Sequence, residues 1–404
     1  MALSANRLTP AAAALDQHDE LVARAKALMP ELQKNAPEAE RLRKMPPASF
    51  EAVRKAGLFK VLQPRRVNGL QQALRTHVDT IATIAQACGS TGWCMGVIQA
   101  HSWLMGHFPQ AAQDETYGAN ADTIISAVIA PRGELRAVDD GYILNGVWPF
   151  CSGSQYSDWL FLGAALLDGK GEIADEADVL VKTSAVTVKD DWNVTGLRGT
   201  GSCTVVAKDV HIPKHRYLSL RGLIGGVTPG GGLHDGSLYK SAAVPVLTLA
   251  LCPSALGIAR CAFEAFKQRL PGRQVAYTER EVQIDMPVTH VQAASAATKI
   301  DVAEALLYRC ADEIAEAAER GEMMDFTKRA RVRADCAWAV RQCLEAVEIM
   351  YLASGGSGIA DNSVLGRAWR DLHAINMHGL LNLETNMELY GRIVLGLKPN
   401  TPLI

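Results

Sequence analysis

Three short segments carry side chains whose types and spacing could do chemistry. Residues 89–108, GSTGWCMGVIQAHSWLMGHF, hold Trp93 and His101 eight positions apart. On an α-helix that is a little over two turns, so both rings can face one pocket. An imidazole placed there can take or give a proton near neutral pH. A core histidine bonded to backbone satisfies the same spacing. His107, close to Pro109, is the weaker candidate. Residues 141–164, GYILNGVWPFCSGSQYSDWLFLGA, set the polar turn Cys151-Ser152-Gly153-Ser154 between two apolar runs. Small residues let a flat ring approach the backbone, and backbone N–H groups and the Ser152 hydroxyl can bond its heteroatoms. Trp148 and Trp159 flank the turn and could shield a ring face. A plain hairpin with buried tryptophans fits equally. Finally, Gly355-Gly356 offers backbone N–H groups to a phosphate, a signal with little specificity of its own.

The surrounding pattern shows what must position these groups. Residues 10–118 read as helices, with Leu21, Ala25, Leu28, Met29 and Leu32 at helical spacing and Ser49 as a cap after Pro46-Pro47. Gly89–Gly92 interrupts one helical run and an apolar segment follows. From about Thr123 the runs become short and β-rich, IISAVIAP, YILNGVWPF, WLFLGAAL, DVLVKTSAVTV and CTVVAKDVHIP, with turn residues between them. After a Gly-rich stretch the helical pattern returns. The expected fold class is α+β in three parts: N-terminal helices (1–121), a middle antiparallel β part (122–218), and a C-terminal helical part (219–404). The Gly-rich loop 222–236 would be a mobile lid.

Composition narrows the function classes. The chain has 404 residues, 48% hydrophobic and 21% charged, and a formal net charge of −2. Near-neutrality argues against nucleic acid as a partner. Nine cysteines without a CxxC pair fit reduced thiols and a cytoplasmic location. No leader-like apolar run opens the chain, and no charge-free stretch of about 18 apolar residues suggests a membrane span. HExxH is absent, so metal chemistry has little support, and GxSxG is absent, which argues against a serine hydrolase. No GxGxxG follows a strand, so the chain is not expected to bind NAD(P)H itself.

Four segments in series resemble the acyl-CoA dehydrogenase superfamily: FEAVRKAGLFKVLQPRRVNG (50–69), the strand pair around Ser152, WNVTGLRGTGSCTVVAKDVHIP (192–213), and SGGSGIADNSVLGRAWRD (354–371). The resemblance implies that family's fold, with a C-terminal four-helix bundle and a homotetramer holding flavin between subunits. Two departures separate this chain from the dehydrogenases. The position of their catalytic Glu falls on Gly379, beside His378, and Glu384 could serve only with an insertion. The stretch that helps hold acyl-CoA reads APRGELRAVDD. The chain is similar instead to the monooxygenase branch, the oxygenase components of aromatic hydroxylases. This implies reduced FMN or FAD supplied by a separate NAD(P)H-dependent flavin reductase, and O₂ activated as a C4a-(hydro)peroxyflavin that oxygenates a small aromatic substrate. In that branch His101 would bind and deprotonate a substrate hydroxyl beside Trp93, and His378 would stand near the reacting flavin carbon. Ser152 would donate to flavin N5, Ser126 would touch the ring, and Trp148, Cys151, Gly355 and Gly356 would line the cofactor. Arg280 would reach a neighbouring subunit's flavin phosphate, and His373 would be structural. An acyl-CoA dehydrogenase using Glu384, or a scaffold without flavin, are the alternatives.

Overall fold

The computed structural model describes residues 17–279 and 281–404. Among the described residues five helices come first: α1 (His18–Leu42), α2 (Pro47–Lys55), α3 (Leu74–Ala87), α4 (Gly89–Met105) and α5 (Gln110–Tyr117). Along α1 the buried residues are Leu21, Ala25, Leu32, Ala36 and Ala39, one stripe of a 3.6-residue period, while Leu28 and Met29 lie at its half-buried edge. Helix α2 opens on Pro47, whose fixed φ and missing N–H suit a first helical position. Ser49 is therefore inside the helix and not its cap; it is buried and accepts from Asn35 Nδ2 at 3.2 Å. The next helical run does break, one residue earlier than expected, at Cys88 (φ −149°), and Gly89–Gly92 lies inside the helix that follows. It forms the first turn of α4, and its small residues let α4 lie against α3: a Cβ on Gly92 would stand 2.5 Å from the Ala85 Cβ.

Seven strands follow: β1 (Ile125–Val138), β2 (Gly141–Cys151), β3 (Trp159–Leu167), β4 (Ile173–Lys182), β5 (Thr187–Val188), β6 (Cys203–Pro213) and β7 (Tyr217–Ser219). They form one sheet in the order β5-β6-β2-β1-β3-β4-β7. All pairs are antiparallel except β1–β3. The expectation of a purely antiparallel arrangement fails there because β2 already occupies one edge of β1. The chain must cross by the turn at Ser154–Tyr156 to reach the other edge. One sheet face closes over Leu144, Trp148, Leu160, Leu162, Val179 and Val205. The other contributes Ile125, Phe161, Leu180 and Leu218 to the main core under the helices.

The chain then forms α6 (Leu220–Ile224), α7 (Ala243–Leu251), α8 (Pro253–Arg269), α9 (Pro287–Glu319), α10 (Phe326–Ala353), α11 (Val364–Asn376) and α12 (Leu383–Val394). Helices α8, α9, α10 and α11 pack side by side as a four-helix bundle, α12 docks on α10, and α3 lies along α8. One segment, Ala243–Arg269, is long and apolar enough to cross a membrane, which the sequence reading did not single out. It spans α7 and α8, and 78% of its most apolar window is buried inside the protein, as a core helix pair requires.

Candidate active site

Helix α4, the start of β1, the turn after β2, the turn before β6 and the segment after α11 converge on one cluster of uncharged polar groups. Trp93 and His101, both on α4, are 6% and 7% exposed. The Trp93 indole N–H donates to Ser152 Oγ at 3.1 Å. Ser152 Oγ lies 2.8 Å from Ser202 Oγ, which lies 2.7 Å from Thr200 Oγ1. In front, Ser126 Oγ donates to the Ser152 carbonyl at 2.7 Å and accepts from Ser157 Oγ at 2.5 Å. Gly153 holds the turn at φ +73°, and its N–H donates to the Thr200 carbonyl at 2.9 Å. A side chain there would be strained by the backbone and would press a Cβ to 3.3 Å from Ser126 Oγ.

The two histidines have opposite tautomers. His101 Nδ1 lies 3.0 Å from the Ile125 carbonyl, so Nδ1 carries the proton and Nε2 keeps its lone pair. That Nε2 has no hydrogen bond among the described residues. Burial pulls the His101 pKa down to about 4, against the weaker upward pull of the Ile125 carbonyl. His378, half-buried just beyond α11, accepts the Leu380 N–H on Nδ1 at 3.3 Å, so its proton sits on Nε2. Its ring meets Trp93 edge-on, centroids 5.7 Å apart, and the protein around it lowers its pKa to about 4. The cluster thus offers a bare imidazole nitrogen on His101 and, beside Trp93, an N–H donor on His378.

Other expected residues fall elsewhere. Trp148 and Cys151 have no exposed surface and belong to the core on the far face of the sheet. Trp148 donates its indole N–H to the Gly163 carbonyl at 2.7 Å. Both side chains face away from the Ser152 turn: a register break between Trp148 and Cys151, with Phe150 at φ +68°, brings the two residues to one face of the sheet although they are an odd number apart. Trp159 has Lys182 and Arg216 over its ring. The Gly355–Ile359 turn is largely exposed and packs on α10 and α11, with Arg269 and Arg273 both donating to the Ser354 carbonyl before it. Arg280 lies outside the described residues. Glu384 is exposed at the start of α12 and paired with Arg341, which with its own N–H keeps it ionised and out of any apolar pocket. His373 is tied to Trp369 and Glu348, a structural role. The Gly-rich stretch begins as α6 and is then fastened down: Gly230 N–H donates to the His107 carbonyl, His234 Nε2 to the Gly106 carbonyl at 2.8 Å, and Thr228 bonds His107 Nδ1.

Sequence reasoning missed Ser202, Thr200 and Ser157. The signal was present in the run Thr200-Gly201-Ser202, two hydroxyls in a turn that must sit beside a strand. The turn is held by Asp371 of α11, whose Oδ1 accepts the Leu197 N–H at 2.6 Å.

The profile of the family described as "Acyl-CoA dehydrogenase, C-terminal domain" matches residues 249–383. The oxygenase subunit HsaA of a flavin-dependent monooxygenase from Rhodococcus jostii (strain RHA1) is 34% identical over 372 residues, 92% of this chain and 97% of that protein. The oxygenase component of an FADH(2)-dependent resorcinol hydroxylase from Rhizobium sp. (strain MTP-10005) is 30% identical, covering 96% and 97%. Among solved structures, XiaF from Streptomyces sp., in complex with FADH2 and glycerol, superposes with a TM-score of 0.91 at 28% identity, covering 98% of this chain and all of that one.

Proposed function

This chain belongs to the oxygenase components of the flavin-dependent monooxygenases built on the acyl-CoA dehydrogenase fold, and from that membership we propose how its own residues divide the reaction. The reaction is substrate, reduced flavin and O₂ giving hydroxylated substrate, oxidised flavin and water. A separate NAD(P)H-dependent reductase supplies the flavin. FADH2 is named for two of the relatives, which makes it the first form to test, ahead of FMN. The substrate class is a small aromatic compound bearing a hydroxyl.

The residues present fit a flat, uncharged ring edge: three serine hydroxyls, an indole and a glycine with no side chain converge on one turn. Bound there, reduced flavin supplies the two electrons that activate O₂. Ser152 and Ser126 hold the ring edge. His101, with Nδ1–H committed to the Ile125 carbonyl, offers Nε2 to the substrate hydroxyl and takes its proton, raising electron density on the aromatic ring. His378 supports the opposite side with Nε2–H as a hydrogen-bond donor. Trp93, edge-on to His378 and bonded to Ser152, helps exclude water from that side.

Further reading concerns assembly and place. Val288, Val291, Trp338, Leu352, Met377 and Leu395 leave an apolar surface exposed on and beside the bundle, which suits burial between copies in a homotetramer. All nine cysteines are free, which suits a reducing cytoplasm.

The observation that carries the reading is the fixed His101 tautomer beside the hydroxyl cluster. His101→Asn should leave flavin binding intact and lower oxygen transfer to a phenolic substrate by about 10²–10⁴-fold, with the O₂ consumed appearing as H₂O₂. Product and peroxide measured after mixing reduced-flavin complex with O₂ decide it. Unchanged product yield in the variant removes His101 as the base.

A further inference from the structure

The hydroxyls behind the Ser152 turn have a definite donor sense. Thr200 Oγ1 donates to the Leu197 carbonyl at 2.9 Å. A hydroxyl has one proton, so Ser202 is the donor in its bond to Thr200, and Ser152 is the donor in its bond to Ser202. Trp93 fills one lone pair of Ser152. What remains free on Ser152 Oγ is a second lone pair and no proton. The chain can also run the other way, with Thr200 donating to Ser202, Ser202 to Ser152, and the Ser152 proton released outward. Reversal strands no buried acceptor, because the Leu197 carbonyl also receives the Trp192 indole N–H at 3.1 Å and the Thr200 N–H at 3.2 Å. It does forfeit one hydrogen bond, so the inward sense is the ground state.

We propose that Ser152, Ser202 and Thr200 form a reversible hydroxyl switch that makes the site prefer reduced to oxidised flavin, with Ser202 and Thr200 as positioning residues. The inference rests on the reading that Ser152 meets flavin N5. Reduced flavin carries a proton on N5 and needs an acceptor there; oxidised flavin has a bare N5 and needs a donor. The inward sense offers the acceptor at no cost. Oxidised flavin obtains its donor only by turning the whole chain round. No bond to carbon or nitrogen forms or breaks; three O–H bonds rotate. On this proposal Ser152 accepts from N5 in the reduced state and donates to it only in the oxidised one. The chemistry that follows is simple: the product form of the cofactor is held less tightly than the form that must be captured from the reductase.

Anaerobic calorimetric titration with reduced and oxidised FAD and FMN gives the ratio of the two dissociation constants. Ser202→Ala cuts the chain and frees the Ser152 proton, so oxidised flavin should gain and the ratio should fall by about three- to tenfold, the worth of one hydrogen bond. The isosteric Thr200→Val should move it the same way. The potential of the bound two-electron couple should fall in step, by about 30 mV for a tenfold change. Ser152→Ala separates the two ideas. If it moves the ratio while Ser202→Ala and Thr200→Val do not, the switch is wrong and the N5 contact stands. If Ser152→Ala alters neither affinity, the contact itself is wrong and the switch falls with it. Thermal melts of each variant establish that the fold is kept.

Discussion

His101 and His378 are held neutral by their surroundings, and this sets how the site answers pH. Both pKa values are lowered to about 4 by burial. A free imidazole would protonate below about 6.5, whereas these keep their working forms well below that. Product formed per reduced flavin should therefore stay level from mildly alkaline conditions down to about pH 5 and fall only below it. An acid limb centred near 6.5 in single-turnover product yield would mean that neither ring is buried in the working enzyme. That Trp93 and His101 share a helix was legible from the pattern, and eight residues place their side chains about 80° apart around it, within one broad face. The opposed tautomers were not, since they depend on the Ile125 carbonyl and the Leu380 N–H, groups that no residue letter encodes.

At the scale of elements, the placement of α4 decides whether its two rings reach the sheet. Gly92 permits the α3–α4 contact, and Gly257 permits α8 to approach the Ala82 carbonyl, where a Cβ would stand 2.2 Å away. Gly92→Ala should wedge the helices apart, cost about 1–3 kcal/mol as overpacking, and weaken flavin binding by displacing Trp93. Calorimetric melting and flavin titration test both; a melt equal to wild type would show that the contact yields freely. The helix-to-strand change of period and the return to helices were readable from hydrophobic spacing. The parallel β1–β3 pair was not, because it is fixed by which edge of β1 stays open after β2 has paired. Nor was the placement of Trp148 and Cys151: the turn resembled a cofactor wall, yet a register break at Phe150, φ +68°, sends both side chains into the far core.

Over the whole molecule, buried ionisable groups make stability depend on pH in two opposing ways. His77, His101 and His378 are pulled down to about 4 and His107 to about 3. Below about pH 6.5 the unfolded chain binds protons that the folded chain refuses, so stability falls as pH drops through the range between the two values. The melting temperature should decline steadily from about pH 6.5 towards 4; a flat profile there would contradict the buried, neutral state of these rings. Asp178 acts in reverse. It is 1% exposed on β4, neither carboxyl oxygen has a hydrogen-bond partner among the described residues, and burial raises its pKa to about 8. Its folded form holds a proton that the unfolded form releases above about 4, so it costs stability increasingly between those values. Asp178→Asn should raise the melting temperature at slightly alkaline pH, and a drop would reveal a partner for the carboxylate.

One helix gauges the width of the site. Asp371 of α11 grips the Leu197 N–H, and Arg370 beside it holds the Thr195 carbonyl and Glu40 of α1. Seven residues on, the same helix hands the chain to His378. The Ser202 turn and the His378 ring are thus mounted on one rigid spacer. A subunit that breathes or docks against its neighbours would carry both walls together, leaving the gap between them unaltered. Changes on α4, which carries Trp93 and His101, can then be made without altering the spacing that α11 sets.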